Sequence, residues 1–488
     1  MVAEDDGLFS RLRSGLRQDL SQLGARLTGL APRRKGVSLQ HRCFDAPDGR
    51  VRLHLRTHED ATGLLIVNGT DALHLSPLQA DCAALVFDGM NGRGLEARAT
   101  GGKVALQVGQ ALTHLRARYG AMRDFALEAE YERVRTAIER LSRPSERCRV
   151  CEAGIPQPEA LSIRAQAPLK ADLALSYACN NDCAHCYNEP GRRAMPSLDT
   201  DGWREVLDRL WQIGVPYVIL TGGEATLRDD LPEIVRHAEA LGMICGLNTN
   251  GRRLKDAALV EALIDAGLDH VQVTLASQRA ELHNQIVRAD AFDETVAGIR
   301  NCLGRGLHTI TNTTLIEENA GEAVQIVDFL HDLGLRTFAM NGMIHSGCGA
   351  ASPSALAMPR LREALTSARD RAAEREMRFL WYTVTRHCEL SPMEMGVGLR
   401  FCNAAEYSVC IEPNGDVLPC QSYYEPAGNL LRDRWERVWE CDLFTRIRFR
   451  REHPEDAGLS AECHECEDLR LCGGGCPLER QLTAANGG

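Results

Sequence analysis

The chain has 488 residues, 44% hydrophobic and 25% charged, with 56 Lys and Arg against 67 Asp and Glu and a formal net charge of −11. At roughly 100–200 residues per domain, this length and composition predict a soluble protein of two to four domains. The chain shows no apolar run of the ~18 residues that span a bilayer and no secretory signal. It also lacks the excess of Lys and Arg that is typical of nucleic-acid-binding proteins. A cytoplasmic location is therefore expected, where 19 cysteines in short clusters indicate metal ligation rather than disulfides.

The first 35 residues predict an amphipathic helix. Leucines recur at three- and four-residue steps and so share one face, at Leu8, Leu12, Leu16, Leu20, Leu23, Leu27 and Leu30. Arginines lie between them, which suits a helix on a membrane surface or, as we favour, a helix packed on protein.

Residues 36–120 predict a small α+β domain of winged-helix type. The runs VRLHLRTH and GLLIVNG are typical of short strands. The run SPLQADCAALVFDGM is typical of a helix, with Ser76 as its N-cap and Pro77 in its first turn.

A helix and a linker are predicted over 121–169. The charged helix covers 121–142, and the linker contains Cys148 and Cys151 in the sequence CRVC. A single CxxC pair is compatible with half of a zinc site, a redox pair or two thiols without a function.

From 170 to 345, strand-like and helix-like runs alternate six times. The strand-like runs are LALSY, PYVILTG, MICGLNT, HVQVTLA, TITNTTL and TFAMNG. Six such units predict an α/β fold, a partial (β/α)6 barrel of TIM type, whose active residues lie at the carboxyl ends of the strands. Connecting helices are expected over 346–387 and a cysteine-rich domain over 388–488.

The first of these strands leads into CNNDCAHC, which places Cys179, Cys183 and Cys186 at the barrel mouth with the spacing C-x3-C-x2-C. Three thiolates this close can hold three irons of a four-iron cluster and leave the fourth without a protein ligand. A small chelating molecule can bind that iron and receive an electron, so the motif indicates redox chemistry on a cofactor.

Two further loops are predicted at the same rim. TGGEATL follows the second strand with Gly222, Gly223 and Glu224, and LNTNG follows the third with Asn250. Paired glycines let backbone approach a ligand closely, and Glu224 can accept a hydrogen bond from a ligand ammonium. Either loop alone is typical of an ordinary turn, but beside C-x3-C-x2-C the two favour a binding site.

A second cysteine array lies near the C-terminus. CHECEDLRLCGGGC has the spacing C-x2-C-x5-C-x3-C, and CNAAEYSVCIEPNGDVLPC lies upstream of it. The cysteines are Cys402, Cys410, Cys420, Cys463, Cys466, Cys472 and Cys476. The last four alone would supply the four ligands of a structural zinc ion, but the three additional cysteines upstream favour iron–sulfur clusters.

The barrel motifs resemble those of the radical S-adenosylmethionine (radical SAM) enzymes over about 170–480, and the second array resembles their SPASM extension, which binds two auxiliary four-iron clusters. The resemblance implies that the amino and carboxylate groups of S-adenosylmethionine chelate the open iron. An electron, from a donor such as ferredoxin or flavodoxin, then cleaves the sulfonium. The resulting 5′-deoxyadenosyl radical removes a hydrogen atom from substrate.

The same resemblance implies roles for individual residues. Glu224 would hold the methionine ammonium, and Arg288 is a candidate for the carboxylate. His185 stands where the family often has an aromatic residue, and its flat ring can pack near the adenine. The other cofactor-binding candidates are Gly222, Gly223, Asn250, Thr274, Asn312 and Tyr187. Cys348, in HSGCGAAS, is a candidate hydrogen donor or acid.

For the auxiliary clusters, the resemblance implies two ligand sets. The first is Cys402, Cys420 and Cys476 with Cys410, and the second is Cys463, Cys466 and Cys472. The family pattern ends with one more cysteine, which this chain lacks. The region holds nine cysteines when Cys388 and Cys441 are counted. Three alternatives are open for the second cluster: Cys441 completes it, a noncysteinyl side chain completes it, or the site stays open for substrate or an exchangeable ligand.

The predicted function is hydrogen abstraction from a peptide or protein side chain, as a post-translational modification of a ribosomal peptide. SPASM-type enzymes often act on peptides, and the stretch from GLLIVNG to FDGMNG is similar to the peptide-recognition domain that accompanies such enzymes. The alternatives are an enzyme acting on a sugar, an aminoglycoside or a tetrapyrrole, and a zinc-binding scaffold without catalysis.

Overall fold

The structure is a computed structural model, and it describes residues 37–46, 49–90, 101–119, 124–143, 145, 148–157 and 165–479. The helix predicted over 1–35 lies outside these residues. The described residues form two compact units, the first up to residue 157 together with Gln212–Pro216 and the second made of the other residues from 165 onward. Among them, no helix is long and apolar enough to cross a membrane.

The first unit contains a four-stranded antiparallel sheet in which each strand pairs with the next along the chain. The strands are β1 (Ser38–Ala46), β2 (Gly49–Thr57), β3 (Gly63–Val67) and β4 (Asp71–Leu75). The runs VRLHLRTH and GLLIVNG predicted β2 and β3. The sequence did not indicate β1, whose side chains over 38–44 are only partly buried and do not alternate clearly between apolar and polar.

Four helices accompany this sheet: α1 (Pro77–Gly89), α2 (Gly101–Tyr119), α3 (Asp124–Leu141) and α4 (Arg149–Ala153). Helix α1 begins as predicted, because Ser76 Oγ accepts from Gln79 N at 3.4 Å while Gln79 Oε1 accepts from Ser76 N at 2.9 Å. One core joins the helices to the sheet, and it includes Leu53, Leu55, Leu65, Leu73, Val86, Phe87, Leu115 and Val134. The expectation of a small α+β unit is confirmed.

The second unit is built on six parallel strands that lie side by side in chain order. They are β5 (Lys170–Ser176), β6 (Tyr217–Gly222), β7 (Ile244–Thr249), β8 (His270–Thr274), β9 (His308–Thr314) and β10 (Thr337–Asn341). The prediction of six barrel strands is confirmed, since each predicted run overlaps one of them. A short strand, β11 (Arg378–Leu380), adds to the sheet beside β10.

Helices alternate with these strands: α5 (Thr200–Ile213), α6 (Leu231–Leu241), α7 (Ala257–Asp265), α8 (Ala280–Val287), α9 (Phe292–Gly304), α10 (Ala323–Asp332) and α11 (Met358–Glu374). Each buries an apolar stripe, as α5 does with Val206, Leu207 and Leu210. Helix α8 was not predicted, and it proves to support the site.

The C-terminal region continues the same sheet. Strand β12 (Ser408–Ile411) pairs in parallel with β5, so the sheet has ten strands once β13 (Asp416–Leu418) and β14 (Gly428–Asn429) are included. Short helices follow: α12 (Trp435–Trp439), α13 (Asp442–Arg448), α14 (Ala461–His464) and α15 (Leu469–Cys472). The cysteine-rich region is therefore joined to the barrel by strand pairing.

Candidate active site

The loop that carries the first three cysteines leaves the carboxyl end of β5 and is held by backbone hydrogen bonds. Asp182 N donates to Val287 O, and Ala184 N donates to Ile286 O, each at 3.0 Å. Both carbonyls belong to the end of α8. The helix that the sequence did not predict thus supports the loop, which we call the cluster loop (residues 179–186).

The three thiols of the cluster loop are partly buried and close enough to affect one another. Burial is the main cause of the raised pKa of Cys179 and of Cys186, and it raises the pKa of Cys183 to about 12. The charges of Cys186 and Cys179 raise the pKa of Cys183 further. A thiolate here is unfavourable without a nearby positive charge, which a metal cluster would supply.

The two glycines of TGGEATL pack directly on the chain that enters the cluster loop. Gly222 has a φ of +123°, and a Cβ there would lie 2.2 Å from Ser176 O, while a Cβ on Gly223 would lie 2.3 Å from Ala178 O. Gly223 N also donates to Ser176 O at 2.6 Å. Glycine is required because backbone meets backbone here, and this contact fixes the start of the cluster loop.

Glu224 is almost completely buried and ties two strand ends together. Its Oε1 accepts from Thr226 N at 3.1 Å, Thr226 Oγ1 at 2.5 Å and Thr249 Oγ1 at 2.6 Å, and its Oε2 accepts from Asn250 N at 2.7 Å. Within the described part of the chain Oε2 accepts only this one bond, so it retains capacity for a further donor such as an ammonium group.

Asn250 continues this framework toward the cluster loop. Its Nδ2 donates to Asn180 Oδ1 at 2.6 Å. Beside it, Arg252 Nη1 donates to Asn181 Oδ1 at 3.0 Å, and Arg252 Nε pairs with Glu294 at 2.6 Å. Sequence reasoning missed Arg252, although its place directly after the predicted rim motif TNG was a usable signal.

His185 precedes the third cysteine and is a buried, neutral ring. Burial lowers its pKa to about 4, and its Nδ1 has no hydrogen-bond partner in the described part of the chain. Buried polar atoms are normally paired. An unpaired nitrogen beside Cys186 is what a bound ligand would complete, so the position fits a cofactor site.

Tyr187 and Cys348 also lie next to the cluster loop. Tyr187 OH donates to Gln421 Oε1 at 3.3 Å, which connects the loop to the cysteine-rich region. Cys348 N donates to Cys186 O at 2.8 Å. Gly347 allows this approach, because a Cβ there would lie 2.5 Å from Tyr187 O.

The three weaker cofactor candidates are placed differently from one another. Arg288 ends α8 with a φ of +51°, and its guanidinium, 57% exposed, lies 4.0 Å from the carboxylate of Asp182 in the cluster loop. Thr274 is the last residue of β8 and pairs with Asn312 on β9. Asn312 lies before the end of its strand, and its Oδ1 accepts from Asn341 Nδ2 at 2.6 Å.

Three C-terminal cysteines from separate segments influence one another electrostatically. Burial is the largest cause of the raised pKa of Cys420 and of Cys476, the latter to about 11, and the charge of Cys402 raises both further. Cys410, fully buried on β12, has its pKa raised by burial, then by the charge of Asp172 and then by that of Cys420. Cys402, Cys420 and Cys476 are therefore within electrostatic range of one another, and Cys410 is within range of Cys420.

A buried arginine that the sequence did not single out holds this group. Arg450, 1% exposed, donates to the carbonyls of Cys402, Ile447 and Gly473 and to the carboxylate of Glu406. The bond to Gly473 is 3.2 Å and the ion pair with Glu406 is 3.2 Å. One guanidinium thus joins the segment of Cys402 to the CGGGC segment.

The remaining C-terminal cysteines occupy short helices and turns. Cys463 lies in α14, Cys466 follows in the next turn, and Cys472 is buried at the end of α15. Cys441, a candidate for the missing ligand, is the N-cap of α13, where its carbonyl accepts from Thr445 N at 2.9 Å.

The CxxC pair lies in the first unit. Cys148 is the N-cap of α4, and its Sγ accepts from Cys151 N at 3.4 Å. Both thiols are exposed, and a hydrogen bond from the Cys151 thiol, followed by the bond from Cys151 N, lowers the pKa of Cys148.

The ligand chemistry of the second unit suits iron–sulfur clusters. Within the described residues, no three His, Cys, Asp or Glu side chains are already gathered around the position of a single ion. The candidate ligands are soft thiols from loops, a donor set that iron–sulfur clusters use. Burial opposes ionisation of several of them, so coordination to iron would supply the charge they lack.

Comparison with known proteins agrees with this chemistry. The family model of the radical SAM superfamily matches residues 173–330, and that of the SPASM iron–sulfur cluster-binding domain matches residues 402–467. Mycofactocin maturase MftC of Mycolicibacterium smegmatis is 27% identical over 328 residues, 65% of this chain and 80% of that protein. PqqA peptide cyclase of Xanthomonas campestris pv. campestris is 29% identical over 337 residues, 65% of this chain and 84% of that protein.

Among solved structures, Streptococcus suis SuiB is similar in fold, with a TM-score of 0.61 at 19% identity, over 88% of this chain and 95% of that one. The cysteine motifs, the six-stranded parallel sheet and both domain matches agree. Iron–sulfur clusters and S-adenosylmethionine are the cofactors of these domains. The chain therefore contains a radical SAM domain followed by a C-terminal SPASM domain, and it is an enzyme.

Proposed function

We propose that this enzyme abstracts a hydrogen atom from a peptide or protein side chain and so modifies a ribosomally made peptide. Two sequence relatives support this, because one is named a maturase and the other a peptide cyclase. Each aligns with 65% of this chain, enough to span the barrel and the SPASM domain together. Related catalytic machinery therefore acts on peptides in at least one of these proteins.

The observation that carries the proposal is the small α+β unit on the same chain. The likeness to SuiB covers 88% of this chain, which is more than the second unit holds and so extends into the first. A catalytic barrel does not need such a unit for its own core. We assign residues 36–120 to recognition of the peptide, the catalytic barrel to 170–345 and the auxiliary clusters to 388–488.

The residue roles at the barrel mouth are part of the proposal. When bound, the cluster and S-adenosylmethionine supply the radical that removes the hydrogen atom. Glu224 offers its free Oε2 position to the methionine ammonium, and the exposed guanidinium of Arg288 is available to the carboxylate. His185 provides a neutral, buried ring beside the third cysteine. The cluster ligands are Cys179, Cys183 and Cys186, and the other lining residues are Gly222, Gly223, Asn250, Thr274, Asn312, Tyr187 and Cys348.

The auxiliary ligands are assigned in two sets. Cys402, Cys410, Cys420 and Cys476 take the first cluster, and Cys463, Cys466 and Cys472 contribute to the second. A small electron-transfer protein, ferredoxin or flavodoxin, is the proposed reductant. Dependence on such a donor and on reduced thiols supports a cytoplasmic location.

The test is an anaerobic assay of the full-length, reconstituted enzyme with synthetic peptides encoded by short reading frames beside its gene. One peptide carries deuterium on its side chains. We expect a change in peptide mass and transfer of deuterium into 5′-deoxyadenosine. The Cys183→Ala variant, which lacks one cluster ligand, is the matched control and should give neither.

A panel of sugars and aminoglycosides is assayed in parallel. Deuterium transfer from one of these small molecules, with no change in any peptide, would overturn the proposal. Binding of the labelled peptide to the full chain, followed by fluorescence anisotropy, should remain in the Cys183→Ala variant, because recognition is assigned to the other unit.

A further inference from the structure

The second auxiliary set has three assigned cysteines, and a four-iron cluster takes four ligands. The structure points to Cys388 as the fourth, so that Cys388, Cys463, Cys466 and Cys472 together hold the second auxiliary cluster. The ligand would come from a loop upstream of the SPASM motif rather than from a cysteine after it. This inference rests on the cofactors of the SPASM domain and is independent of the peptide substrate.

Contacts place the turn around Cys388 directly on the CGGGC segment. His387 N donates to Cys472 Sγ at 3.4 Å. A Cβ on Gly475 would lie 2.8 Å from Arg386 Cγ and 3.4 Å from Arg386 N. The residue before Cys388 is therefore hydrogen-bonded to a predicted ligand of the second cluster.

The turn is fixed on both sides, so its position is a property of the fold. Glu389 N and Leu390 N both donate to Arg386 O at 3.0 Å. His387 Nε2 lies 3.0 Å from Arg400 O. The turn thus holds Cys388 at one place beside α15.

The thiol of Cys388 also interacts electrostatically with Cys472, although this influence is a small one. Burial raises the pKa of Cys388, Arg386 lowers it, and the charges of Glu389 and then Cys472 raise it further. A backbone N–H directed at a cysteine sulfur is a common way to tune a cluster ligand, since hydrogen bonds to the sulfurs help to set its potential. The bond from His387 N to Cys472 therefore has a function once the cluster is present.

The competing thiol is that of Cys441, at the N-cap of α13. Within the described residues, no hydrogen bond joins Cys441 to Cys463, Cys466 or Cys472, whereas His387 N is bonded to Cys472. The first auxiliary set already has four thiols, from Cys402, Cys410, Cys420 and Cys476. Cys388 is exposed, and an exposed thiol outside a cluster would be open to oxidation.

The test compares Cys388→Ala with Cys441→Ala in the full-length protein, reconstituted anaerobically. With three clusters in the parent, iron should fall in Cys388→Ala from about twelve per chain toward about eight, and the electron paramagnetic resonance signal of one reduced cluster should disappear. Cys441→Ala should match the parent. Cys388→Ser, which offers an oxygen ligand of similar size, should keep the iron and shift that signal.

A second arm identifies the cluster involved. In a Cys463→Ala/Cys466→Ala background the second cluster is already lost, so adding Cys388→Ala should remove no further iron. Further loss there would assign Cys388 to the first cluster and overturn the inference. Unchanged iron and an unchanged resonance signal in Cys388→Ala alone would overturn it as well. Circular dichroism of each variant confirms that the fold is retained.

Discussion

The cluster loop and the cysteine-rich C-terminal region present the same thiol chemistry through different structural routes. In the cluster loop, three cysteines lie within residues 179–186, and the loop donates backbone hydrogen bonds to the end of α8. In the C-terminal region, Cys402, Cys420 and Cys476 come from distant segments, and buried Arg450 joins two of those segments. The first site is local in sequence, whereas the second depends on long-range tertiary contacts.

This difference determines how each site should fail. Removal of one side chain from the cluster loop affects one cluster, because the bonds that hold the loop on α8 run between backbone groups. Removal of the guanidinium that joins distant segments affects several ligands at once. The four predictions below test this contrast, from the largest expected effect to the smallest.

Substitution Cys183→Ala should abolish cleavage of S-adenosylmethionine while the chain still folds. Two cysteines cannot retain the cluster of the loop, but its backbone bonds from Asp182 N and Ala184 N remain. Formation of 5′-deoxyadenosine, measured by chromatography, should be undetectable, and iron should fall by about four per chain. Cys302→Ala, at a buried position on α9, is the control and should retain cleavage. Cleavage by Cys183→Ala at the parent rate would refute the assignment of the loop.

Substitution Arg450→Met should destabilise the C-terminal region by about 3–5 kcal/mol, the usual cost of breaking a buried ion pair. The substitution removes the donor to the carbonyls of Cys402, Ile447 and Gly473 and one of the two arginines that pair with Glu406. Arg451 still pairs with Glu406 at 2.9 Å. Urea unfolding should show the loss, together with reduced auxiliary iron.

The matched control for that prediction is Arg432→Met, at an exposed arginine that pairs with Asp416 at 3.4 Å. Exposed pairs contribute less than about 1 kcal/mol, so the variant should behave like the parent. Equal losses in the two variants would show that Arg450 has no special role in joining the segments.

The pH dependence of stability tests the support beneath the cluster loop. His283, on α8, is buried and neutral; its Nδ1 accepts from Ala276 N at 3.2 Å, and burial followed by the charge of His185 lowers its pKa from 6.5 to about 4. As the pH falls, His283 takes up a proton in the unfolded chain at a higher pH than in the folded chain. The free energy of unfolding therefore has its full value above pH 6.5 and decreases as the pH falls toward 4. The loss from this one residue amounts to about 3 kcal/mol at pH 4.

His283→Asn should therefore flatten the stability profile between pH 6.5 and 4, measured as the free energy of unfolding in urea. His237→Asn, at a partly exposed histidine paired with Asp208, is the control and should keep the slope of the parent. An unchanged slope in His283→Asn would mean that the residue is protonated in the folded protein.

The same contrast explains how much the sequence could predict. The six barrel strands were predicted correctly because apolar periodicity is a local pattern, and the cluster-loop motif could be singled out because its cysteines are closely spaced. The support from α8 and the contacts of Arg450 could not be predicted, since an arginine is buried only when distant carbonyls and carboxylates meet around it. The role of Gly222 could be predicted in part. The sequence showed its GGE motif, but its close contact with Ser176 O exists only once strand β5 has folded beside it.

The smallest expected effect is at the connection between the two regions. Tyr187 OH donates to Gln421 Oε1 at 3.3 Å, and each residue directly follows a cysteine, Cys186 and Cys420. Tyr187→Phe and Gln421→Ala should each cost about 1 kcal/mol, the usual net contribution of one hydrogen bond. In a double-mutant cycle of urea unfolding, the coupling energy should be about 0.5–1 kcal/mol. A coupling near zero would mean that the local site and the long-range site are built independently, so a change in one would not be transmitted to the other through this bond.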